Sequence, residues 1–193
     1  MFAKLHSAGL FGMDAFPVEV EVFLSGGLPA FDIVGLPDVS VKESRERVRA
    51  VVKSLGLEYP ASRITVNLAP ADIRKEGPIY DLPIFLGIAC ATGAAPLPDD
   101  GCAFLGELSL LGELRPAHGV LPMAIALKKA GFHTLFVPAA NAPEATVVEG
   151  LTVYGIDRAE ALLGHLRGDA RLTPADPSQA PVQRREEVLD YAD

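Results

Sequence analysis

Residues 63–88 read RITVNLAPADIRKEGPIYDLPIFLGI and place two apolar segments on either side of a polar loop. The first segment, RITVNL at 63–68, alternates aliphatic with polar residues, which is typical of a half-buried strand. From Asp81 to Thr92 the chain is apolar on nearly all sides, and we predict a buried helix with Pro83 in its first turn. A strand and a buried helix so close together indicate a mixed α and β core.

The residues before this stretch predict a three-stranded antiparallel start and then a helix. The three expected strands lie within 2–10, 17–24 and 30–34. The helix is expected over 39–54, capped by Asp38 or Ser40 and followed by Gly56. Its valines recur at helical spacing, which predicts one buried face.

After the buried helix, the sequence alternates short strands and helices. We expect a strand, turn and strand over 103–115, helices at 120–130, 143–148 and 158–166, and strands at 134–137 and 153–154. The predicted class is therefore α+β, with a single domain over residues 1–167. Residues 168–193 form a proline-rich linker and a charged tail by composition.

Composition limits the class of protein further. The chain has 193 residues, 49% hydrophobic and 22% charged, which suits a globular domain with its own core. Two cysteines rule out a disulfide framework, and no signal peptide or membrane-length apolar run is visible. We therefore expect a cytoplasmic protein without membrane insertion.

Charge is unevenly distributed in this acidic chain, whose formal net charge is −8. Residues 39–75 carry eight basic against four acidic side chains. Such a segment is a candidate contact surface for DNA or another partner, and a merely solvated helix face explains it about equally well. The candidate residues are Lys42, Arg45, Arg49, Lys53, Arg74 and Lys75. No aromatic stacking platform is evident beside them, so any contact is expected to reach phosphates only.

Motifs for common catalytic chemistry are absent from the sequence. The dipeptide Gly-Lys does not occur, which excludes a P-loop, and neither GxGxxG nor GxSxG is present. The four histidines are far apart in sequence, and no metal site is expected. We predict no cofactor for this chain.

Three long segments carry a specific resemblance. They are residues 63–88 together with GLPAFDIVGLPDVSVKESRERVRA at 27–50 and FLGELSLLGELRPAHGVLPMAIALKKAG at 104–131. They resemble the N-terminal domain of the ComM/YifB family, bacterial AAA+ ATPases often labelled Mg-chelatase-like. The resemblance implies a Lon proteolytic domain-like fold, the ribosomal-protein-type βαβ fold that GHMP kinases share. It also implies a following AAA+ module that binds ATP and Mg²⁺, a hexameric ring, and a role in DNA branch migration during natural transformation.

The same resemblance implies that proteolysis has been lost. The Lon nucleophile is a serine after Lys-Asp-Gly-Pro, whereas KEGP at 75–78 is followed here by Ile79. The Lon base is a lysine in a Pro-x-Gly-Gly-x-Lys context, whereas PAHGV at 116–120 is followed here by Leu121. Neither aliphatic side chain supplies a nucleophile or a base.

We therefore expect a non-catalytic domain that guides DNA and helps ring assembly. The alternatives are a purely structural oligomerisation domain, a degenerate peptidase with a relocated dyad, and a GHMP-type kinase, which would need a phosphate loop that is missing.

Overall fold

The computed structural model describes residues 1–180, which form nine strands, six α-helices and three short 3-10 helices. The strands are β1 (Phe2–Phe11), β2 (Asp14–Ser25), β3 (Ala30–Val34), β4 (Arg63–Ala69), β5 (Cys102–Phe104), β6 (Glu107–Leu108), β7 (Leu114–Arg115), β8 (Thr134–Pro138) and β9 (Thr152–Ile156). The helices are α1 (Val39–Lys42), α2 (Ser44–Ser54), α3 (Asp81–Ala91), α4 (Val120–Lys129), α5 (Ala142–Ala145) and α6 (Ala159–Arg167). The predicted α+β class is confirmed.

A four-stranded sheet with the order β1-β2-β4-β3 forms the first half of the domain. Strand β2 is antiparallel to both β1 and β4, whereas β3 runs parallel to β4. The predicted three-stranded antiparallel start is therefore wrong, because β4 lies between β2 and β3. A parallel pair needs a long crossover connection, and the chain between β3 and β4, which contains α1 and α2, supplies it.

The helix predicted over 39–54 is present but interrupted at Glu43, which separates α1 from α2. Asp38 is the N-cap, since its Oδ1 accepts a hydrogen bond from the Val41 amide at 2.8 Å. The valine stripe of α2 is buried as predicted, and α2 packs on α3. Helix α3 is enclosed on all sides and also packs on β1 and β2.

The second half contains a three-stranded parallel sheet with the order β5-β8-β9. The segment 103–115 does not form one hairpin as predicted, because β5 pairs with β8 and a separate hairpin joins β6 to β7. The two larger sheets are linked where the Ser7 hydroxyl donates to the Phe104 carbonyl at 2.7 Å. Strands β1 and β5 of the two sheets therefore lie next to each other.

The buried carboxylate of Asp81 connects three elements at the centre of the domain. Its Oδ1 accepts a hydrogen bond from the Ser44 hydroxyl at 2.5 Å, and its Oδ2 accepts from the Leu108 amide at 3.0 Å. Arg47 Nε donates to the same Oδ2 at 2.6 Å. Burial lowers the pKa of Arg47, but the hydrogen bond and the charge of Asp81 outweigh burial, so the pKa is raised and the guanidinium stays charged. One side chain thus fixes α2, α3 and β6 to each other.

Replacing this carboxylate should destabilise the domain. We expect Asp81→Asn to lower the free energy of unfolding by about 3 kcal/mol, because Arg47 loses its buried counter-charge and one acceptor oxygen is lost. Urea unfolding measures the loss. The matched control is Asp32→Asn, which removes one partner of the exposed pair with Arg63 and should cost less than about 1 kcal/mol. Equal losses in the two variants would contradict the central role of Asp81.

The first part of the predicted linker lies against the domain. The Leu172 amide donates to His165 Nδ1 at 2.9 Å, and the Ala175 amide donates to the Val153 carbonyl at 2.7 Å. Contacts with the domain therefore continue as far as Ala175, beyond the predicted boundary at residue 167. The last three residues of the predicted linker, 181–183, and the charged tail at 184–193 lie outside the described residues, and the predicted separation of the tail from the domain stays a prediction.

Acid should release the Leu172 contact. Only a neutral imidazole accepts the Leu172 hydrogen bond, and burial, with a contribution from Arg171, lowers the pKa of His165. The contribution of this contact to stability is therefore fully present when the pH is above the ordinary histidine pKa near 6.5. It is lost as the pH falls through the lower pKa that His165 has in the folded protein. Hydrogen exchange at the Leu172 amide, corrected for the intrinsic rate, measures this loss. Constant protection down to pH 4, with the Val66 amide as a core reference, would exclude the mechanism.

Candidate functional site

The loop that carries the KEGP segment is fixed beside the start of α1. The Lys75 amide donates to the Leu36 carbonyl at 3.0 Å, and the Asp38 amide donates to the Lys75 carbonyl at 3.0 Å. The Gly77 amide donates to Asp38 Oδ2 at 3.2 Å, and Gly77 has a φ of +82°, a conformation that favours glycine. These bonds place Ile79 at the position that follows the turn.

A pocket of about 260 Å³ opens at Ile79. Its apolar lining comes from Leu10, Pro78, Ile79, Pro116 and Ala117, and its polar lining from Glu76, Glu107 and His118, with Gly77 at the turn. Among the described residues, this lining includes no hydroxyl, thiol or amine side chain. The structure brings Ile79 together with the segment around Pro116, as the resemblance implies, whereas Leu121 lies on α4 outside the lining.

Lys75 must be removed from the predicted contact surface, because its side chain is fully buried. Its ammonium donates to the carbonyl of Gly35 at 2.8 Å and also to the carbonyl of Pro70. Burial lowers the pKa of this lysine. An ammonium enclosed in this way cannot reach a phosphate, so its role is structural. Arg74 on the same loop is exposed and lies 3.5 Å from a carboxylate oxygen of Glu76.

The other four predicted cations share one exposed surface. We call it the basic face, and it consists of Lys42, Arg45, Arg49 and Lys53. Within residues 1–180, none of the four has a carboxylate oxygen within 4.0 Å, so no ion pair neutralises them there. Arg45 is held in place by backbone carbonyls, since its Nε donates to Lys42 at 3.1 Å and its Nη1 to Phe31 at 3.4 Å. The basic face is therefore charged and partly ordered.

Two aromatic side chains border the basic face, contrary to the expectation from the sequence. The ring centroid of Tyr59 lies 5.2 Å from Cζ of Arg49 and 5.9 Å from Nζ of Lys53. Tyr59 also lines a cavity of about 240 Å³ with Phe31, Arg45, Arg49 and the acidic Glu46. Burial raises the pKa of Tyr59, Arg49 opposes this and Glu46 adds to it, so the phenol stays neutral at neutral pH.

Sequence reasoning missed these aromatic residues because they come from other elements. Phe31 lies on β3, and Tyr59 follows the end of α2, beyond Gly56. The only available signal was the position of Tyr59, six residues after Lys53 in a segment that returns toward β4. Across residues 1–180, no group of three or more histidine, cysteine or acidic side chains is arranged to hold a metal ion, and no helix combines the length and hydropathy needed to span a membrane.

Comparison with known proteins defines the class. The family model described as subunit ChlI of Mg-chelatase matches residues 20–141, a range that contains the basic face and, apart from Leu10, the lining of the Ile79 pocket. The chain therefore belongs to this Mg-chelatase-like family, in which its relatives include proteins named ComM and YifB.

Individual relatives make the comparison more specific. Competence protein ComM of Haemophilus influenzae is 40% identical over 173 residues, which cover 88% of this chain and 33% of the relative. YifB of Escherichia coli is 38% identical over 177 residues, covering 91% of this chain and 35% of the relative. The chain thus spans about a third of the length of these relatives. Similarity to Lon protease of Mycolicibacterium smegmatis is weaker, at 29% identity over 153 residues, covering 76% of this chain and 19% of the protease.

Proposed function

We propose that this chain is a non-catalytic domain of a ComM/YifB-type AAA+ ATPase and that it guides DNA by its phosphate backbone. The observation that carries the proposal is the basic face, where four cations without ion pairs among residues 1–180 stand on a protein of net charge −8. The name of the Haemophilus influenzae relative, competence protein, supports a role in transformation. In this proposal the ATP-driven step is branch migration of DNA, carried out in the cytoplasm.

The proposal includes the architecture that the resemblance implies. The Lon similarity and the β3–α1–α2–β4 crossover support a Lon proteolytic domain-like, ribosomal-protein-type fold. ATP and Mg²⁺ belong to an AAA+ module beyond this chain, and the complete protein forms a hexameric ring. A single domain of net charge −8 binds DNA weakly, and a ring multiplies a few weak phosphate contacts into useful affinity.

Reversing two charges of the basic face should weaken DNA binding by the full-length protein. Each phosphate contact to duplex DNA contributes a slope of about −0.9 in log K against log salt. We expect Arg45→Glu with Arg49→Glu to lower affinity for forked DNA and to flatten the slope by about two, while ATP binding is unchanged. Fluorescence anisotropy over a salt series measures both quantities.

A charge-matched control separates this surface from net charge. Arg115→Glu with Lys129→Glu changes the total charge equally at exposed positions outside the basic face and should leave the slope unchanged. If the Arg45 and Arg49 variant binds like the wild type at every salt concentration, the basic face is a solvated surface. The domain then has only the assembly role.

Assembly is the second candidate function, and an exposed apolar strip favours it. Val34, Leu36 and Val39 are 47%, 53% and 73% exposed at the junction between β3 and α1. Exposed apolar residues that lie close together mark surfaces for protein contact. Sedimentation of the same variants reports whether ring formation is intact, so the two roles are measured separately.

We also propose that the 193-residue chain has neither peptidase nor ATPase activity. Ile79 at the former nucleophile position and the aliphatic Leu121 support the loss of proteolysis, and the missing Gly-Lys dipeptide supports the absence of ATP hydrolysis. Casein and ATP turnover should equal those of a heat-denatured sample, with an active Lon protease as the positive control. If casein is cleaved, loss of cleavage in His118→Ala would point to a relocated site in the Ile79 pocket.

A further inference from the structure

We propose that the cavity beside the basic face holds one unpaired nucleobase, so that this surface takes single-stranded DNA in preference to duplex. The inference rests on the proposed function, because it specifies the form of DNA that the basic face binds. It adds a stacking site to what the sequence predicted as phosphate contacts alone.

The shape of the cavity suits a single flat group. The 240 Å³ cavity adjoins a second one of about 150 Å³, and Phe31, Arg49 and Tyr59 line both. Each is smaller than the roughly 300–1,000 Å³ typical of pockets for larger ligands. Because the Arg49 guanidinium already lies over the Tyr59 ring at 5.2 Å, a base would stack on the exposed guanidinium and lie beside the rings of Tyr59 and Phe31.

The chemistry of the lining matches the face of a base. Bases stack on aromatic rings and on the planar guanidinium of arginine, and such stacking tolerates any sequence. Tyr59 and Arg49 already lie in this relation, at 5.2 Å from ring centroid to Cζ. Arg45 is fixed by the carbonyls of Lys42 and Phe31, and its Nη2 has no protein hydrogen-bond partner within residues 1–180. That nitrogen remains available for a phosphate next to the bound base.

Glu46 indicates which part of the nucleotide enters the cavity. Its carboxylate lines the same space as Arg45 and Arg49, so the cavity offers a hydrogen-bond acceptor that a base can use and a phosphate cannot. A base carries amino groups that a carboxylate accepts from, as in contacts between glutamate and cytosine. The base therefore belongs inside and the phosphates outside, along Lys42 and Lys53.

Only single-stranded DNA has base faces that are free to contact the rings of Phe31 and Tyr59. Phe31 and Tyr59 are half-buried and reach only a group that enters the cavity. In a duplex the face of each base is covered by its neighbours, and only the edges are open in the grooves. Duplex DNA can thus use the cations of the basic face but not its aromatic lining.

The test compares DNA with and without bases. The full-length protein is titrated with a single-stranded oligodeoxycytidine and with an abasic oligonucleotide of the same length, at one salt concentration. We expect the wild type to bind the base-bearing strand roughly tenfold more tightly, as for one stacked base. Tyr59→Leu should abolish this preference without changing the salt slope, whereas Tyr59→Phe, which keeps the ring, should retain it.

Failure of this inference is distinguishable from failure of the proposed function. If Tyr59→Leu is folded and keeps the preference, or if the wild type shows none, the stacking site is refuted, even where Arg45→Glu with Arg49→Glu still weakens binding. If the charge variant has no effect, the basic face itself is refuted. Phe31→Leu, which alters the other aromatic residue of the lining, replaces Tyr59→Leu if that variant does not fold.

Discussion

The buried carboxylate of Asp81 sets the orientation of the surface on which the candidate function depends. Arg47 is the cation of α2 that turns inward to reach it, and Ser44 contributes a second bond from the first residue of the same helix. With these two positions directed at α3, Arg45, Arg49 and Lys53 lie on the exposed side of the helix. A central polar contact thereby determines which charges are available at the surface.

Local patterns were sufficient to predict most individual elements of the fold. The alternation in β4, the valine stripe of α2 and the apolar character of α3 each come from neighbouring residues, so a short window of sequence contains the signal. Strand order has no such local signal. The residues of β3 at 30–34 would fit equally well next to β2 or on the far side of β4. The position of β3 in the sheet depends instead on how the crossover between β3 and β4 packs.

At the candidate site, too, local sequence patterns predicted features within one element but not contacts between distant segments. Helical spacing places Arg45, Arg49 and Lys53 on one side of α2, since residues four apart share a side of a helix, whereas their role as a contact surface stays a prediction. Lys75 was misplaced because a lysine in a polar loop is usually solvated, whereas here carbonyls from Gly35 and Pro70 enclose its ammonium. The aromatic border formed by Phe31 and Tyr59 depends on residues far from the cations in sequence, and only the assembled sheet brings them together.

The hydrogen bond from Arg45 to the Phe31 carbonyl has a consequence for solubility. Strand β3 is one of the two outer strands of its sheet, and an outer strand offers free backbone groups on which a second chain can build an extended, insoluble aggregate. The exposed guanidinium of Arg45 lies 3.4 Å from the Phe31 carbonyl and places a charge beside that strand. Charges beside an outer strand discourage such pairing, which gives Arg45 a second physical effect that does not depend on DNA.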